Sequence, residues 1–519
     1  MKLNGRASAP DWGLLGPVLI AGAIVLAYAN SFSCVFLFDD FVGIVRNPRI
    51  RTLSSAVAAS SRPLVDATFW LNFALDGLRV AGYHLVNLAI HVGAALALFG
   101  IGRRTLKLGE TPAAVRPAAD GLALCIALLW GVHPLLTGSV TYICQRAESL
   151  MGCLYLLTLY GAIRAHLSGG WPWRAATVAC CALGMGTKEV MITAPVMVVL
   201  YDRAFLFSSL REAWTKRRAL YVGLAATWLM LAAWMQIRKS SDPFNFYAWH
   251  GIGPLSYART QFGVVAHYLR LALWPDSLCL DYRWPVAESW REVWPSAAGI
   301  AALGAVLLWA WWRRPRRAFP GVWTCVILAP TSTFIARPDC AFEHRMYLPL
   351  AGIVAYAVLG GHRLLEGRSR VACRGTLAAA LAVALGWVTH VRNQDYRSEA
   401  AMWQDVVNKR PQNLRAGNDL AVALSEAGRF GEAIREYNRV LDLIPPGVRA
   451  KLESGAVTVG PTFDTESCEY HYFRAHANLG LLYYREKGDR AAARRHYEAA
   501  LKVAPGQPDV AAKLKALEE

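Results

Sequence analysis

Apolar runs of 15 to 19 residues, close to the ~20 that cross a bilayer, recur through residues 1–391 and then stop. They fall near 13–31, 83–101, 120–137, 148–166, 173–187, 189–206, 219–237, 295–312, 319–335, 345–362 and 373–390, and they predict eleven membrane-spanning helices. One more stretch, 258–275, is also apolar, but it would place Arg259, Gln261, His267 and Arg270 at membrane depth, which is costly. It is predicted as an interfacial or re-entrant helix on the outer face. The first run lacks a small-residue cleavage site before its polar flank, so it is expected to stay as a span. From 392 onward the pattern shifts to charged, Ala-rich amphipathic helices.

Charge sets the expected orientation. The 519 residues carry 55% hydrophobic side chains and a formal net charge of +18. With Lys2 and Arg6 inside, alternation puts Arg103, Arg104 and Lys107 on the same side, then Arg164 and Arg174, then Arg211 and Lys216 to Arg218. Arg313 to Arg317 and Arg363 to Arg374 join them. The excess of cations is thus a topology signal, and a nucleic-acid partner is set aside. The outer face receives the first loop (32–82), the turns 141–148 and 187–189, the region 238–294, the loop 336–345 and everything after about 391.

That tail contains repeats. In 414–446, Leu420, Ala421, Leu424, Ala433, Tyr437 and Pro445 sit at the offsets of the tetratricopeptide helix pair. Residues 474–506 repeat them with Leu479, Gly480, Tyr483, Ala493, Tyr497, Ala500 and Pro505. Trp403 and Pro411 suggest a preceding half repeat, helix 508–518 is polar enough to cap the stack, and 447–470, with Pro446, Gly455 and Gly460 in or beside it, reads as an inserted loop. Small residues let paired helices approach and aromatics fill the gap to the next pair, which makes a short solenoid suited to binding protein.

Candidate chemistry lies at the outer helix ends. Asp39 and Asp40 directly follow the first span, in FLFDDFVGIVRNPRI (36–50). An isolated acid pair is usually a solvated turn, but the loop beyond is amphipathic, with Phe69, Trp70, Leu71 and Phe73 suited to the interface. Charges also stand close to hydrocarbon at Arg146 and Glu148, at Lys188 and Glu189, and at Glu343, His344 and Arg345, where function is the default reading. Arg146 with Glu148, or Lys188 with Glu189, would be simple structural pairs. A lipid-phosphate sugar donor would use the whole set. Its phosphate needs cations and the acceptor hydroxyl needs a base. The phosphate leaving group calls for charge stabilisation more than for an acid, so one carboxylate suffices where glycosidases use two. On an extended loop the two acids would point to opposite sides, with one touching the acceptor and the other raising its pKa.

The acid pair, YHLVNLAIH (83–91), VHP (132–134), RAES (146–149), TKE (187–189), LDY (280–282), EHRMYLP (343–349) and the repeat tail, in that order, resemble the transmembrane and tetratricopeptide repeat-containing O-mannosyltransferases and their bacterial relatives, of the GT-C superfamily. The resemblance covers nearly the whole chain. It implies an all-α protein: a polytopic membrane bundle of GT-C type over 1–391 and an extracytoplasmic tetratricopeptide domain over 392–519. It also implies inverting transfer of a sugar, mannose in the family, from a polyprenyl-phosphate donor to a Ser or Thr hydroxyl of a protein. Asp39 or Asp40 becomes the base, with Asp39 matching the Asp of the Asp-Glu pair in related enzymes. Arg146, Lys188, His344 and Arg345 become donor-phosphate ligands, with Glu148, Glu189, Glu343, Asp281 and Tyr282 in support. His84, Asn87, His91 and His133 are expected to pack the bundle. Eukaryotic members carry many more repeats than this tail.

Lys supplies 11 of the 55 basic residues, an Arg bias that fits a GC-rich bacterial genome and makes the outer side periplasm, or endoplasmic reticulum lumen in a eukaryote. The 11 Cys are scattered without metal-ligand spacing; Cys340 and Cys468 are the two that an oxidising compartment would reach. No Gly-rich nucleotide fingerprint appears, so no cofactor is required, with a divalent cation left open. Two other functions compete: a non-catalytic membrane scaffold presenting the repeats, and a ligase that moves a lipid-linked glycan onto lipid or polysaccharide.

Overall fold

The computed structural model describes residues 12–58, 60–109, 115–241, 252–337, 339–365, 371–459 and 467–517. Lys2, Arg6, Arg368, Arg370 and Gly460, which entered the readings of orientation and tail, lie outside the described residues. Every regular element among those described is helical. The chain divides into two compact units, one of Met1–Leu278 with Trp284–Tyr396 and one of Cys279–Arg283 with Arg397–Glu519.

The first unit holds α1 (Trp12–Tyr28), α2 (Leu53–Ala58), α3 (Pro63–Asp76), α4 (Val80–Leu106), α5 (Ala119–Gly131), α6 (Thr137–Val140), α7 (Arg146–Ser168), α8 (Trp171–Met185), α9 (Ala194–Tyr201), α10 (Leu210–Ser241), α11 (Pro254–Leu273), α12 (Trp290–Arg313), α13 (Pro315–Leu328), α14 (Pro349–Leu364) and α15 (Val371–Arg392). Six helices are long and apolar enough to span: Trp12–Ser33, Val80–Leu106, Ile143–Ser168, Leu210–Gln236, Trp290–Arg313 and Arg374–Arg397. A seventh crossing exists if Arg116–Gly131 and Pro134–Val140, bent by 52°, count as one. The expected eleven are therefore not matched by eleven helices of spanning length. Four expected spans contain α8, α9, α13 and α14, of 15, 8, 14 and 16 residues. At 1.5 Å per residue the shortest reaches only ~12 Å into a ~30 Å core. Proline and glycine explain the breaks. Pro172 opens α8 and Gly186 ends it, Pro195 opens α9, and a π-turn at Asp202–Leu206 closes it.

The helix ends are tied in two sets. At one, Asn393 Nδ2 donates to Ala27 O (3.2 Å), Thr389 Oγ1 to Val132 O (2.8 Å) and Trp130 Nε1 to Tyr347 O (2.8 Å). At the other, Thr105 meets the Tyr201 hydroxyl (2.7 Å), Arg103 pairs with Asp120 (2.9 Å) and Arg217 with Asp202 (2.5 Å). The candidate acids belong to the first set and the arginine-rich ends to the second.

The second unit holds α16 (Glu399–Lys409), α17 (Leu414–Glu426), α18 (Phe430–Leu443), α19 (Pro446–Ser454), α20 (Cys468–Lys487), α21 (Arg490–Val503) and α22 (Pro508–Lys515). The pairs α17–α18 and α20–α21 turn at Gly428 (φ 73°) and Gly488 (φ 65°), left-handed positions that suit glycine. A Cβ on Gly480 would lie 2.6 Å from the Tyr497 ring, so the small residue at this offset is what lets the pair close. The stretch expected as a loop over 447–470 opens instead with α19. Pro446 sits at its first turn and Gly455 (φ 73°) caps its end. The same Pro and Gly that suggested a loop are the helix boundaries.

Candidate active site

The acid pair sits on a turn whose backbone separates the two carboxylates. Phe38 has φ 45°, unusual for a bulky side chain. Past it the chain enters a helical turn, not the expected extended loop. Asp40 is fully buried, accepting from Leu37 N (2.9 Å) and Cys144 N (2.6 Å). Asp39 is exposed, and its backbone N donates to the Tyr142 hydroxyl (2.9 Å). Burial pushes the Asp40 carboxyl up to about 7, against the pull of its two N–H donors and with a further push from Asp39. Two adjacent acids thus occupy different environments, Asp39 exposed and Asp40 buried.

The same junction leads into α7, whose first residue is Arg146. Its guanidinium is entirely buried. Nε donates to Asn87 (2.6 Å), Nη1 to Asn72 (2.7 Å) and Thr68, and Nη2 to Tyr83 O (2.9 Å). It rests over the Phe69 ring at 4.5 Å. Arg146 therefore staples α3 and α4 to α7, donating to protein acceptors from Nε, Nη1 and Nη2. Asn87, expected only to pack, is one of its acceptors. His84, His91 and His133 are buried on backbone carbonyls of Cys34, Gly131 and Ala272.

Two residues on, Glu148 pairs with Lys188, both buried. Where the sequence offered local pairs, Arg146 with Glu148 or Lys188 with Glu189, the fold joins Glu148 to Lys188, 40 residues on. Burial lowers the Lys188 ammonium and Arg62 adds to this, while Glu148 pulls back. Glu189 lies within electrostatic reach of Lys188 and Arg337. His344, half-buried and stacked on Phe342, is held neutral by burial and by Lys188, Arg345, Arg62 and Arg337. Arg345 donates to the Tyr257 hydroxyl (3.2 Å), Cys340 O (2.8 Å) and Asp339 O (2.7 Å). Glu343 is buried within reach of Tyr268, whose hydroxyl accepts from Phe342 N (2.7 Å). Lys188, His344 and Arg345, from distant parts of the sequence, are thus brought together.

Asp281 and Tyr282 are not part of this cluster. They belong to the second unit. There burial alone would raise the Asp281 carboxyl, but Arg415 (2.8 Å) and Asn413 (2.9 Å) outweigh it and hold it below the usual range. The Arg410 guanidinium lies over the Tyr282 ring at 5.0 Å. Their role is to fix residues 279–283 among the repeats. Cys340 and Cys468 are both free thiols.

Sequence reasoning missed Arg62, Arg337, Tyr142 and Tyr257. Arg337 was legible, since it stands in the same ARPDCAFEHR loop as His344 and Arg345. Arg62 carried only the weak signal of a cation before the proline that opens α3. A cavity of about 10 Å³ lies beside Arg62, Lys188, Glu189 and Trp234, about the room of one water. A far larger one lies at the opposite helix ends. Charge and the exposed carboxylate, not cavity size, single out the acid end. Among the described residues no three metal-binding side chains cluster.

Comparison with known proteins agrees with the resemblance. A tetratricopeptide repeat model matches residues 473–507. The chain is homologous to proteins named protein O-mannosyl-transferases. It is 24% identical to Tmtc3 of Drosophila melanogaster over 89% of this chain and 58% of that protein. It is 22% identical to F38B6.6 of Caenorhabditis elegans over 86% and 64%, and 25% identical to human TMTC1 over 85% and 56%. It thus spans about three fifths of the length of these relatives. A crystal structure of ArnT from Cupriavidus metallidurans bound to undecaprenyl phosphate aligns over 89% of this chain and 85% of that one, with TM-score 0.42 and 12% identity.

Proposed function

We propose that this chain is a membrane glycosyltransferase that moves a sugar, mannose by analogy with its relatives, from a polyprenyl-phosphate donor to a protein hydroxyl on the extracytoplasmic side. The observation that supports the reading is that one segment joins the acid pair to a buried cationic cluster. Asp39 and Asp40 bond the turn that starts α7, Glu148 on that helix pairs with Lys188, which lies within reach of Arg62, and His344 lies within reach of Lys188, Arg345, Arg62 and Arg337.

In this mechanism the acceptor hydroxyl gives its proton to Asp39 as its oxygen attacks the anomeric carbon from the face opposite the phosphate. The bond from that carbon to the phosphate oxygen breaks, configuration inverts, and polyprenyl phosphate leaves. Lys188, Arg345, Arg62 and Arg337 stabilise the charge developing on the leaving oxygen, and neutral His344 offers a hydrogen bond. Glu148 and Glu189 hold the cations in place. Asp40 sets the turn and presents its neighbour. The repeats of the second unit recruit the protein acceptor, as a short stack of helix pairs suits. The basic helix ends face the cytoplasm and the acid end faces the periplasm or, in a eukaryote, the endoplasmic reticulum lumen.

The test is glycoproteomics of cells carrying wild type or Asp39→Asn. Loss of protein O-glycans in the variant is the expected result. Unchanged protein glycans with altered lipid or polysaccharide glycans would point to a ligase, and unchanged glycans throughout would remove the enzyme reading.

A further inference from the structure

A cavity of about 750 Å³ in the first unit lies away from the acid end and is of the size that takes a ligand. Its walls are apolar, with Leu98, Ile126, Leu159, Phe319 and Leu359 among them. Its rim carries Arg203, Arg314, Arg316, Arg317 and Arg363, and none of its described lining residues is acidic. Arg316 is fixed in place by donating Nε to Ala204 O at 3.1 Å. Arg314, and after it Arg363, lie close enough to Arg317 to lower its guanidinium below the usual range. Charges of one sign have been brought together here with no carboxylate lining the cavity to offset them.

Depth identifies what would fit. The cavity follows α14 from Ala351 to Arg363. Twelve residues at 1.5 Å each give ~18 Å, roughly one leaflet of a ~30 Å hydrocarbon core. We propose that this cavity binds one anionic phospholipid from the leaflet at the arginine-rich end, its phosphate among the rim arginines and an acyl chain along α14. The guanidiniums offer paired N–H donors to phosphate oxygens, and the apolar wall excludes a free inorganic anion as the sole occupant. The inference does not depend on the transfer chemistry, whose groups sit at the other helix ends.

To test it, the full-length protein is placed in nanodiscs of phosphatidylglycerol and phosphatidylcholine with identical acyl chains, and native mass spectrometry reads the lipid retained after the disc is stripped. Wild type should keep one phosphatidylglycerol with roughly tenfold preference over phosphatidylcholine. Arg316→Gln/Arg317→Gln should bring the two lipids near parity, and Ala355→Phe, which fills the apolar wall without touching charge, should lower retention of both. The wild-type preference needs no variant to fold. Equal retention of the two lipids by wild type, a preference unchanged in the arginine variant, or recovery of polyprenyl phosphate in place of phospholipid would each overturn the assignment.

Discussion

Both sets of helix ends in the first unit carry ion pairs, and two of these, Lys188 with Glu148 and Asp120 with Arg103 and Lys107, are built differently. Lys188 and Glu148 are 8% and 4% exposed, and every neighbour that shifts Lys188 belongs to the charged cluster. At the opposite ends Asp120 meets Arg103 and Lys107, with side chains 22%, 26% and 48% exposed. An exposed pair is worth up to ~1 kcal/mol. A buried one costs several kcal/mol of desolvation per ion, so it is weak evidence of a stability device. The arginine-rich ends also bury a pair, Arg217 with Asp202 at 8% and 0% exposed, so burial by itself does not mark the acid end. What differs is the company: Arg217 donates to Asp202 and to Ala162 O, whereas Lys188 also lies within reach of Arg62, Glu189 and His344, the setting that the proposed function uses.

The largest effect should come from the acid end. Asp39→Asn keeps the shape of the side chain and removes the base. Transfer from a synthetic polyprenyl-phosphate sugar by purified protein should fall ~10²–10⁴-fold, the range for losing a general base, with little change in donor KM. A variant within a few-fold of wild type would hand the role to another group.

Next is the buried pair. Lys188→Met leaves Glu148 buried without its cation and should cost about 3–5 kcal/mol, read as a drop in unfolding midpoint. Lys188→Met with Glu148→Leu should recover much of that stability while donor use stays weak. Recovery of both stability and donor use would reduce the pair to packing.

How much of this was legible depended on whether a signal was local. The apolar periodicity found the helices, but α9, α13 and α14 are shorter than the runs that predicted them, and hydropathy alone carries no sign of the proline that opens each or of the π-turn after α9. Repeat offsets located both helix pairs of the second unit, since Gly480 against Tyr497 is a contact between fixed positions of one motif. The candidate cations were visible by their charge near apolar runs. Their partners were not. Arg146 and Lys188 look alike in sequence, and only the fold shows that Asn87, Asn72 and Tyr83 satisfy Arg146 whereas Lys188 faces the cation cluster. The partners of Asp281 were hidden for the same reason, since Asn413 and Arg415 lie over a hundred residues away.

A smaller effect separates the two acids. Asp40 has a folded value of about 7, above the ordinary 3.8. The stability it contributes is therefore complete below about pH 4 and is lost as pH rises through about 7. Thermal midpoints of the purified protein should fall across that window, by roughly 2–4 °C for each kcal/mol, and Asp40→Asn should flatten the slope while keeping an oxygen for Cys144 N. An equal slope in the variant would place the titration elsewhere.

The smallest effect tests the other half of the contrast. Asp120→Asn removes the charge that Arg103 and Lys107 share, but all three side chains reach solvent, so water and salt already screen them. The cost should stay below ~1 kcal/mol, and transfer should remain within about twofold of wild type, because no group of the acid end touches this pair. Raising the salt concentration should shrink even that small loss and leave the Lys188→Met defect nearly unchanged, since buried charges are screened far less. Should Asp120→Asn instead depress transfer as strongly as Lys188→Met, the two ends would be coupled through the helices, and the charged surroundings of Lys188 would no longer explain which ion pair matters to the chemistry.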